Sequence, residues 1–501
     1  MKYNILNKKT VLIAGIYGVL LGGMGCKKQL DINRDPTVPA FNQGTPQLVL
    51  PAAVAGTIAK TGGDLAVIGG IWSQYFTQSS GANQYTVYDS YNMPPTDDNL
   101  NAIYTTLFAN GLKNYQYVID QAKAKGDWNY YLMGTVMKAY TTGVLVDLYD
   151  QIPYTESLQG ANNLNPKFDD GYSVYTDLLK NLDTALSKDF KVSTNSRPDT
   201  MQDLVFKGKM DNWKVFANTL KLKFYLRMVN AHNDVAMAGI NKLYTDGTVF
   251  LTMDAAVTKF KDAPNQDNPM YEQNIRALNA GGNLRASQTL VSWLNVNNDP
   301  RVLNYFGQTN PGAMNQGDYA NNSPANQASV PFVQHFDDPV ELISEAESYF
   351  LQAEARVRYF AGAGAKTLYD QGVTAAFAAV GKNATTFIAP GGVYEWKKEV
   401  EGGVTLSDIA QIIRQKWAHF VYGVHGIEAF FDKNRTGFPA TSPVYSTDAN
   451  YVAGQFVISK TSVLPPGSLP RRMVYPYDET SRNTSAPKTV VPMTTPVWWG
   501  L

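Results

Sequence analysis

Cysteine occurs once and histidine four times in the 501 residues. A disulfide framework needs paired cysteines and a thiolate metal site needs several, so neither can be built here. Charge is scarce as well. Asp, Glu, Lys and Arg make up 17% of the chain, against roughly 25% in an average globular protein. The 43 basic and 43 acidic side chains cancel, leaving no basic excess to neutralise phosphates, and nucleic acid is excluded as a partner. Thiol and imidazole chemistry has little material to work with. What is plentiful is apolar and aromatic: 44% hydrophobic residues, with 30 Tyr, 22 Phe and 8 Trp. That is enough to bury a large core, in a chain long enough for about three average domains or one unusually large one.

The N-terminus carries Lys2, Lys8 and Lys9, then an uncharged stretch from Val11 to Gly25, then Cys26. A positive start followed by an apolar run reads as a signal peptide, and the run is too short and too rich in glycine for a membrane span. The segment Gly23-Met24-Gly25-Cys26 resembles a bacterial lipoprotein signal, with cleavage before the cysteine and acylation of its thiol. Residues 1–25 are then the signal peptide, and residues 26–40 the lipidated cysteine and a polar tether with Pro36 and Pro39. Several acyl chains on Cys26 would hold the body firmly at a membrane.

Beyond the tether the dominant pattern is helical. Leu132, Val136, Tyr140, Val144 and Leu148 recur at helical spacing, as do Trp213, Phe216, Ala217, Leu220, Phe224 and Met228. Ala346, Tyr349, Phe350, Ala353, Val357 and Phe360 form a third stripe. Each predicts a helix burying one face. Weaker patterns cover 99–123, 174–186, 366–380 and 406–421, and long Gly/Asn/Pro-rich loops cover 262–283, 310–330 and the end from Leu464. The spacing predicts a mainly α architecture of helix pairs with long irregular loops, as a single large body.

Several catalytic and ligand motifs fail on inspection. Asp31-Ile32-Asn33-Arg34-Asp35 has the oxygen spacing of a calcium loop, but Pro36 stands where glycine is required and Asn42 where the bidentate Glu belongs. Gly362 to Thr367 lacks the spacing of a phosphate loop and reads as a connector between two helices. His419 and His425 lie six apart with no HExxH arrangement, and no G-x-S-x-G elbow occurs. No metal site and no cofactor is expected. Acidic residues are spread throughout without a marked pair, so a surface glycoside hydrolase stays open as an alternative.

A more specific likeness runs along most of the chain. Leu145-Val146-Asp147-Leu148-Tyr149-Asp150-Gln151-Ile152-Pro153-Tyr154 is followed by Asp211-Asn212-Trp213-Lys214 with Phe216-Ala217-Asn218, then Lys221, Lys223 and Arg227. Asn298-Asp299-Pro300-Arg301, Glu345-Ala346, Gly426-Ile427-Glu428-Ala429-Phe430, Leu469-Pro470-Arg471-Arg472 and Trp498-Trp499 come after, in order. The chain resembles the SusD/RagB family of outer-membrane nutrient-binding lipoproteins. The family usually has Gly where Asp150 stands, Trp where Phe430 stands and Arg where Asn434 stands. The resemblance implies tetratricopeptide-like helix pairs over a nutrient-binding domain, 41–501. It also implies no catalysis, and display on the outer membrane facing the cell exterior. The implied partner is a SusC-like TonB-dependent transporter, and the implied ligand an oligosaccharide, with a peptide as the alternative.

Sugar recognition suits a chain rich in aromatic rings and amides and poor in charge. Trp213 and Trp417 lie on apolar helix faces and are assigned to the core, and the tail pair Trp498–Trp499 to packing on the body. The candidate contacts are Trp72, Tyr75, Asn83, Gln84, Tyr85 and Tyr88, flanking Ser79-Ser80-Gly81, together with Trp293 and Trp396. The helical spacing of Trp72, Tyr75 and Phe76 suits burial equally well. Asn83, Gln84 and Tyr85 follow a glycine break and are expected in a loop.

Overall fold

The computed structural model describes residues 44–194, 202–278 and 282–501. Cys26, the tether and the Asp31–Asp35 segment lie outside the described residues. From Pro46 onward the chain forms one unit. It opens with α1 (Pro46–Ala59) and α2 (Leu65–Trp72), joined by a π-helical turn over Lys60–Asp64. Every residue of α2 is buried.

Next come α3 (Asp98–Thr106), capped by the Asp97 carboxylate on the amides of Asn99 and Leu100, and α4 (Lys113–Lys125). Gly126, at φ 68°, ends α4 in the left-handed conformation that glycine adopts without a Cβ penalty. The Asp127 side chain then accepts from Tyr130 N to start α5 (Trp128–Tyr149). Nearly the whole circumference of α5 is buried, as expected of a helix that is apolar on all sides. It packs on α4, on α6 (Gly171–Leu186) and on α7 (Met210–Arg227), while α8 (Asn233–Thr245) lies against α7.

After α9 (Gln288–Val296) come α10 (Glu345–Tyr359) and α11 (Ala365–Ala378), which form a closely packed pair. Their connector runs through Gly362 at φ 78° and Gly364 at φ 79°, so the Gly-rich segment is the helix connector its spacing predicts. Then α12 (Asp408–His419) packs on α10, and α13 (Gly426–Thr436) crosses α2. That crossing is close enough for a Cβ on Gly69 to fall 2.2 Å from Ile427 N, so only glycine fits. The fold is mainly α, in pairs of helices, as the periodicity predicts.

Strands are short. β1 (Phe76–Gln78), β2 (Ala255–Val257), β3 (Leu284–Ala286) and β4 (Val340–Ile343) form two antiparallel ladders, β1 with β3 and β2 with β4. Proline-rich residues after Leu464 have little regular structure, yet they are pinned to the body. Met473 N donates to Leu148 O at 2.8 Å, Tyr475 Oη to Tyr149 O at 2.8 Å, and Leu501 N to Asn434 O at 3.0 Å.

Asp147, Lys223, Arg227 and Glu428, from three of the motifs that carried the resemblance, meet in one buried ionic network. Arg227 donates through Nε to Asp147 at 3.1 Å and through Nη2 to Glu428 at 2.8 Å. Lys223 bridges Glu428 at 2.9 Å and Glu347 at 3.0 Å, and Lys416 pairs with Asp432 at 2.8 Å. Arg435 holds Glu354 and Asp432. Asp147 also accepts from Tyr175 Oη at 2.6 Å and from Trp499 Nε1 at 2.7 Å. These residues bolt α5, α7, α10, α12, α13 and the tail together.

Asp150 sits at φ 73°, ψ −57°, and Gln151 N bonds Tyr149 O at 2.9 Å, which makes a γ-turn. Its carboxylate accepts from Trp498 N at 2.6 Å. That bond accounts for a non-glycine residue in a conformation that favours glycine. Phe430 fills its place by packing on Trp72, with ring centroids 4.8 Å apart.

Candidate functional site

The sequence-predicted contacts divide into a buried group and an exposed group. Trp72 lies in the core, its ring against Phe430 and its Nε1 donating to Tyr88 O at 3.1 Å. Tyr75 donates to Trp417 O at 2.6 Å and packs on the Trp417 ring, which in turn meets Trp293 at 5.8 Å. Trp293 stacks on Tyr394 at 5.4 Å. Tyr85 and Tyr88 stack on each other at 6.1 Å, and Tyr88 Oη accepts from Asn99 at 2.8 Å. Trp72, Tyr75, Tyr85, Tyr88 and Trp293 are each 3% exposed or less. They pack inward because each ring finds an aromatic neighbour: the helix ends at Trp72, Gln74 at φ 58° turns the chain so that Tyr75 follows outside it, and Tyr85 lies in the predicted loop yet is buried.

What reaches solvent is the turn itself. Asn83 and Gln84 are exposed, and their side-chain amides have no hydrogen-bond partner among the described residues. The turn is held rigidly from below. Gln78 accepts from Tyr85 N at 2.6 Å, Ser79 N bonds Asn283 O at 2.8 Å, and Asp89 accepts from Gln78 N at 2.9 Å and from Gln316 Nε2 at 2.7 Å. Burial pushes the Asp89 carboxyl up to about 6. Free amides on a fixed support suit the hydroxyls of a polar ligand. Trp396 is half-buried, with its ring on Tyr369 at 4.9 Å.

A cleft of about 440 Å³ at the C-terminal end of α9 is bordered by Asn295, Asn298 and Asn310; Trp293, buried in the core, does not line it. Asp299, in its floor, is clamped by Arg301 and accepts from Tyr394 Oη at 2.7 Å. The Asn298–Arg301 motif therefore shapes this cleft. The Tyr85 hydroxyl is buried without a partner among the described residues. Tyr85→Phe is therefore expected to leave stability unchanged or raise it by up to about 1 kcal/mol, read from thermal unfolding. A loss above that would mean that the hydroxyl is bonded in solution.

One constellation has the appearance of catalytic machinery. Ser344 Oγ lies 2.8 Å from His419 Nε2, and Glu341 Oε2 lies 3.7 Å from the same nitrogen. All three are buried, and Ser344 Oγ also caps α10 by accepting from Glu347 N at 3.0 Å. Burial pushes His419 down to about 3, so it is neutral, and no substrate can reach it. The group is structural. Among the described residues no cluster of His, Cys, Asp and Glu could hold a metal ion, and no helix is long and apolar enough to cross a membrane.

Comparison with known proteins places this geometry in a family. Residues 41–460 match the family described as SusD-like, starch-binding associating with outer membrane. A chitin-binding SusD homologue from Flavobacterium johnsoniae superposes with a TM-score of 0.71 at 20% identity, over 90% of this chain and 98% of that one. A SusD homologue from Bacteroides uniformis gives 0.68 at 20% identity, over 90% and 99%. A Bacteroidetes SusD-like protein gives 0.70 at 18% identity, over 91% and 100%. At such identities the likeness concerns the fold. No curated protein matches the chain in sequence.

Proposed function

This chain belongs to the SusD-like family of starch-binding proteins that associate with the outer membrane, and from that premise we propose that it is a cell-surface lipoprotein that binds an oligosaccharide and passes it to a SusC-like TonB-dependent transporter. The observation that carries the reading is the family match across residues 41–460, together with a helical scaffold like that of chitin-binding relatives. Residues 1–25 act as the signal peptide, Cys26 carries the acyl anchor, and residues 26–40 tether the body to the membrane. The ligand is held at the surface by Asn83 and Gln84, with Trp396 and the cleft at the C-terminal end of α9 as further contact regions. It is bound and released intact.

Cells grown with radiolabelled palmitate test the anchor and the partner together. The wild-type protein is expected to take up label and to co-purify with a TonB-dependent barrel, and Cys26→Ser to lose the label. Persistent labelling of Cys26→Ser, or a purified membrane complex without a barrel, would contradict the reading.

A further inference from the structure

A cleft of about 360 Å³ opens between α3, the loop 153–166 and α14 (Tyr477–Arg482). None of the eight sequence-predicted contacts lines it. One wall is aromatic, with Tyr104 and Phe108 packed at 4.7 Å and Phe108 partly exposed. Phe108 is carried on a π-helical turn, Leu107–Leu112, which interrupts the run from α3 to α4. Such turns are rare and concentrate at functional sites. The facing loop contributes Leu158 and Leu164, the latter 72% exposed.

The lining is not optimised for stability. Leu158 holds φ 64°, a left-handed conformation that is strained for a leucine, and the Tyr104 hydroxyl is buried with no partner among the described residues. Each costs on the order of 1–3 kcal/mol. Strain and an orphaned polar atom in the same concave surface point from stability towards function.

Polar groups gather at the other end. Asp478 accepts from Asn101 at 3.0 Å and pairs with Arg482 at 3.4 Å, and Glu479 accepts from Asn483 at 2.9 Å. Lys113 completes the charged set, so two acids face two bases and the charges cancel. A charged ligand would meet no net attraction. A neutral ligand with apolar faces and many hydroxyls would find both kinds of partner. The volume is near the lower end of the range for small-molecule sites, about 300–1,000 Å³, which suits one or two sugar rings and not a long chain.

We infer that this cleft is a second, short-saccharide site, in which Phe108 covers the face of a neutral sugar ring and the Asn101–Asp478–Glu479 edge takes its hydroxyls. The inference rests on the carbohydrate reading for the class of ligand, but neither Asn83 nor Gln84 lines this cleft.

The test is titration calorimetry of the full chain in detergent with maltose and with di-N-acetylchitobiose. Phe108→Ala is expected to weaken binding of the better probe about tenfold, the loss of one central aromatic contact. Leu164→Glu, at an exposed rim position where folding is not at stake, is expected to weaken it at least about threefold by blocking the mouth. Loss confined to Phe108→Ala, or wild-type affinity in both variants, would overturn the cleft while leaving the carbohydrate reading in place. Binding of neither probe by the wild-type chain would overturn both.

Discussion

Arg227→Met is expected to lower the unfolding free energy by about 3–5 kcal/mol, the cost of removing one partner from a buried ion pair. The guanidinium bonds Asp147 and Glu428, lies 3.6 Å from Asp432, and stacks between Trp499 at 5.0 Å and Phe431 at 5.2 Å. A methionine keeps much of the stem but leaves those carboxylates buried beside one cation fewer. The double variant Arg227→Met with Asp147→Asn is expected to cost less than the sum of the two single changes, because both act on one network. By contrast, Lys242→Ala removes a pair with Asp246 in which the lysine side chain is 75% exposed, and it should leave the urea midpoint unchanged. Urea midpoints measure all four. An Arg227→Met protein as stable as the Lys242→Ala protein would show that the network does not hold the fold.

Acid is expected to unfold the protein steeply below about pH 4, with little change between about pH 7 and 4.5. Burial pushes His419 and His425 down to about 3, whereas an unfolded imidazole protonates near about 6.5. Between those values the unfolded chain holds more protons, so the histidines lower stability as pH falls. Burial pushes the carboxyls of Glu399 up to about 7 and Asp89 up to about 6. There the folded chain takes the proton first, so stability rises on the way down to about pH 4 and offsets the histidines.

Below that point both forms of Glu399 and Asp89 are protonated, and the compensation ends. Burial alone would raise Glu354 and Glu428. The guanidinium groups of Arg435 and Arg358 around the first, and Lys223 and Arg227 around the second, overcome burial and bring both down to about 2. Their stabilisation is complete above the unfolded value near about 4.3 and is lost as pH falls to about 2, roughly 3 kcal/mol for each. Thermal midpoints across pH 3–7 check the shape. A midpoint that declines evenly from pH 7, or that holds down to pH 3, would contradict it.

The helices that carry the frame were legible because their apolar stripes are long. The stripe from Leu132 to Leu148 gave α5, that of Trp213 to Met228 gave α7, and Ala346 to Phe360 gave α10, each to within a few residues. Trp213 and Trp417, assigned to the core from apolar helix faces, are buried, and so is Trp499 of the tail pair assigned to packing on the body. The helices α8 and α9 carry patterns too short, among Asn residues, to predict a helix from spacing alone. The break at Leu107–Leu112 inside the 99–123 pattern was invisible, because a π-turn keeps the hydrophobic spacing nearly intact.

The site was less legible for a physical reason. An aromatic residue that could stack on a sugar has the same side chain as one that fills a core, and only tertiary placement separates Trp72 and Tyr75 from Trp396. The exposure of Asn83 and Gln84 was readable because a glycine break marks a turn and turns lie at the surface. The second cleft has one sequence signal: Leu164, a large apolar residue set between asparagines in the loop Gly160 to Asn165.

Under the proposed function the protein captures a saccharide without cleaving it. Calorimetry of the full chain with starch- and chitin-derived oligosaccharides, followed by mass analysis of the recovered ligand, tests it most directly. Saturable binding with the oligosaccharide recovered at its original length is the expected result. Shortened products, or no heat with any oligosaccharide while a peptide library binds, would contradict it.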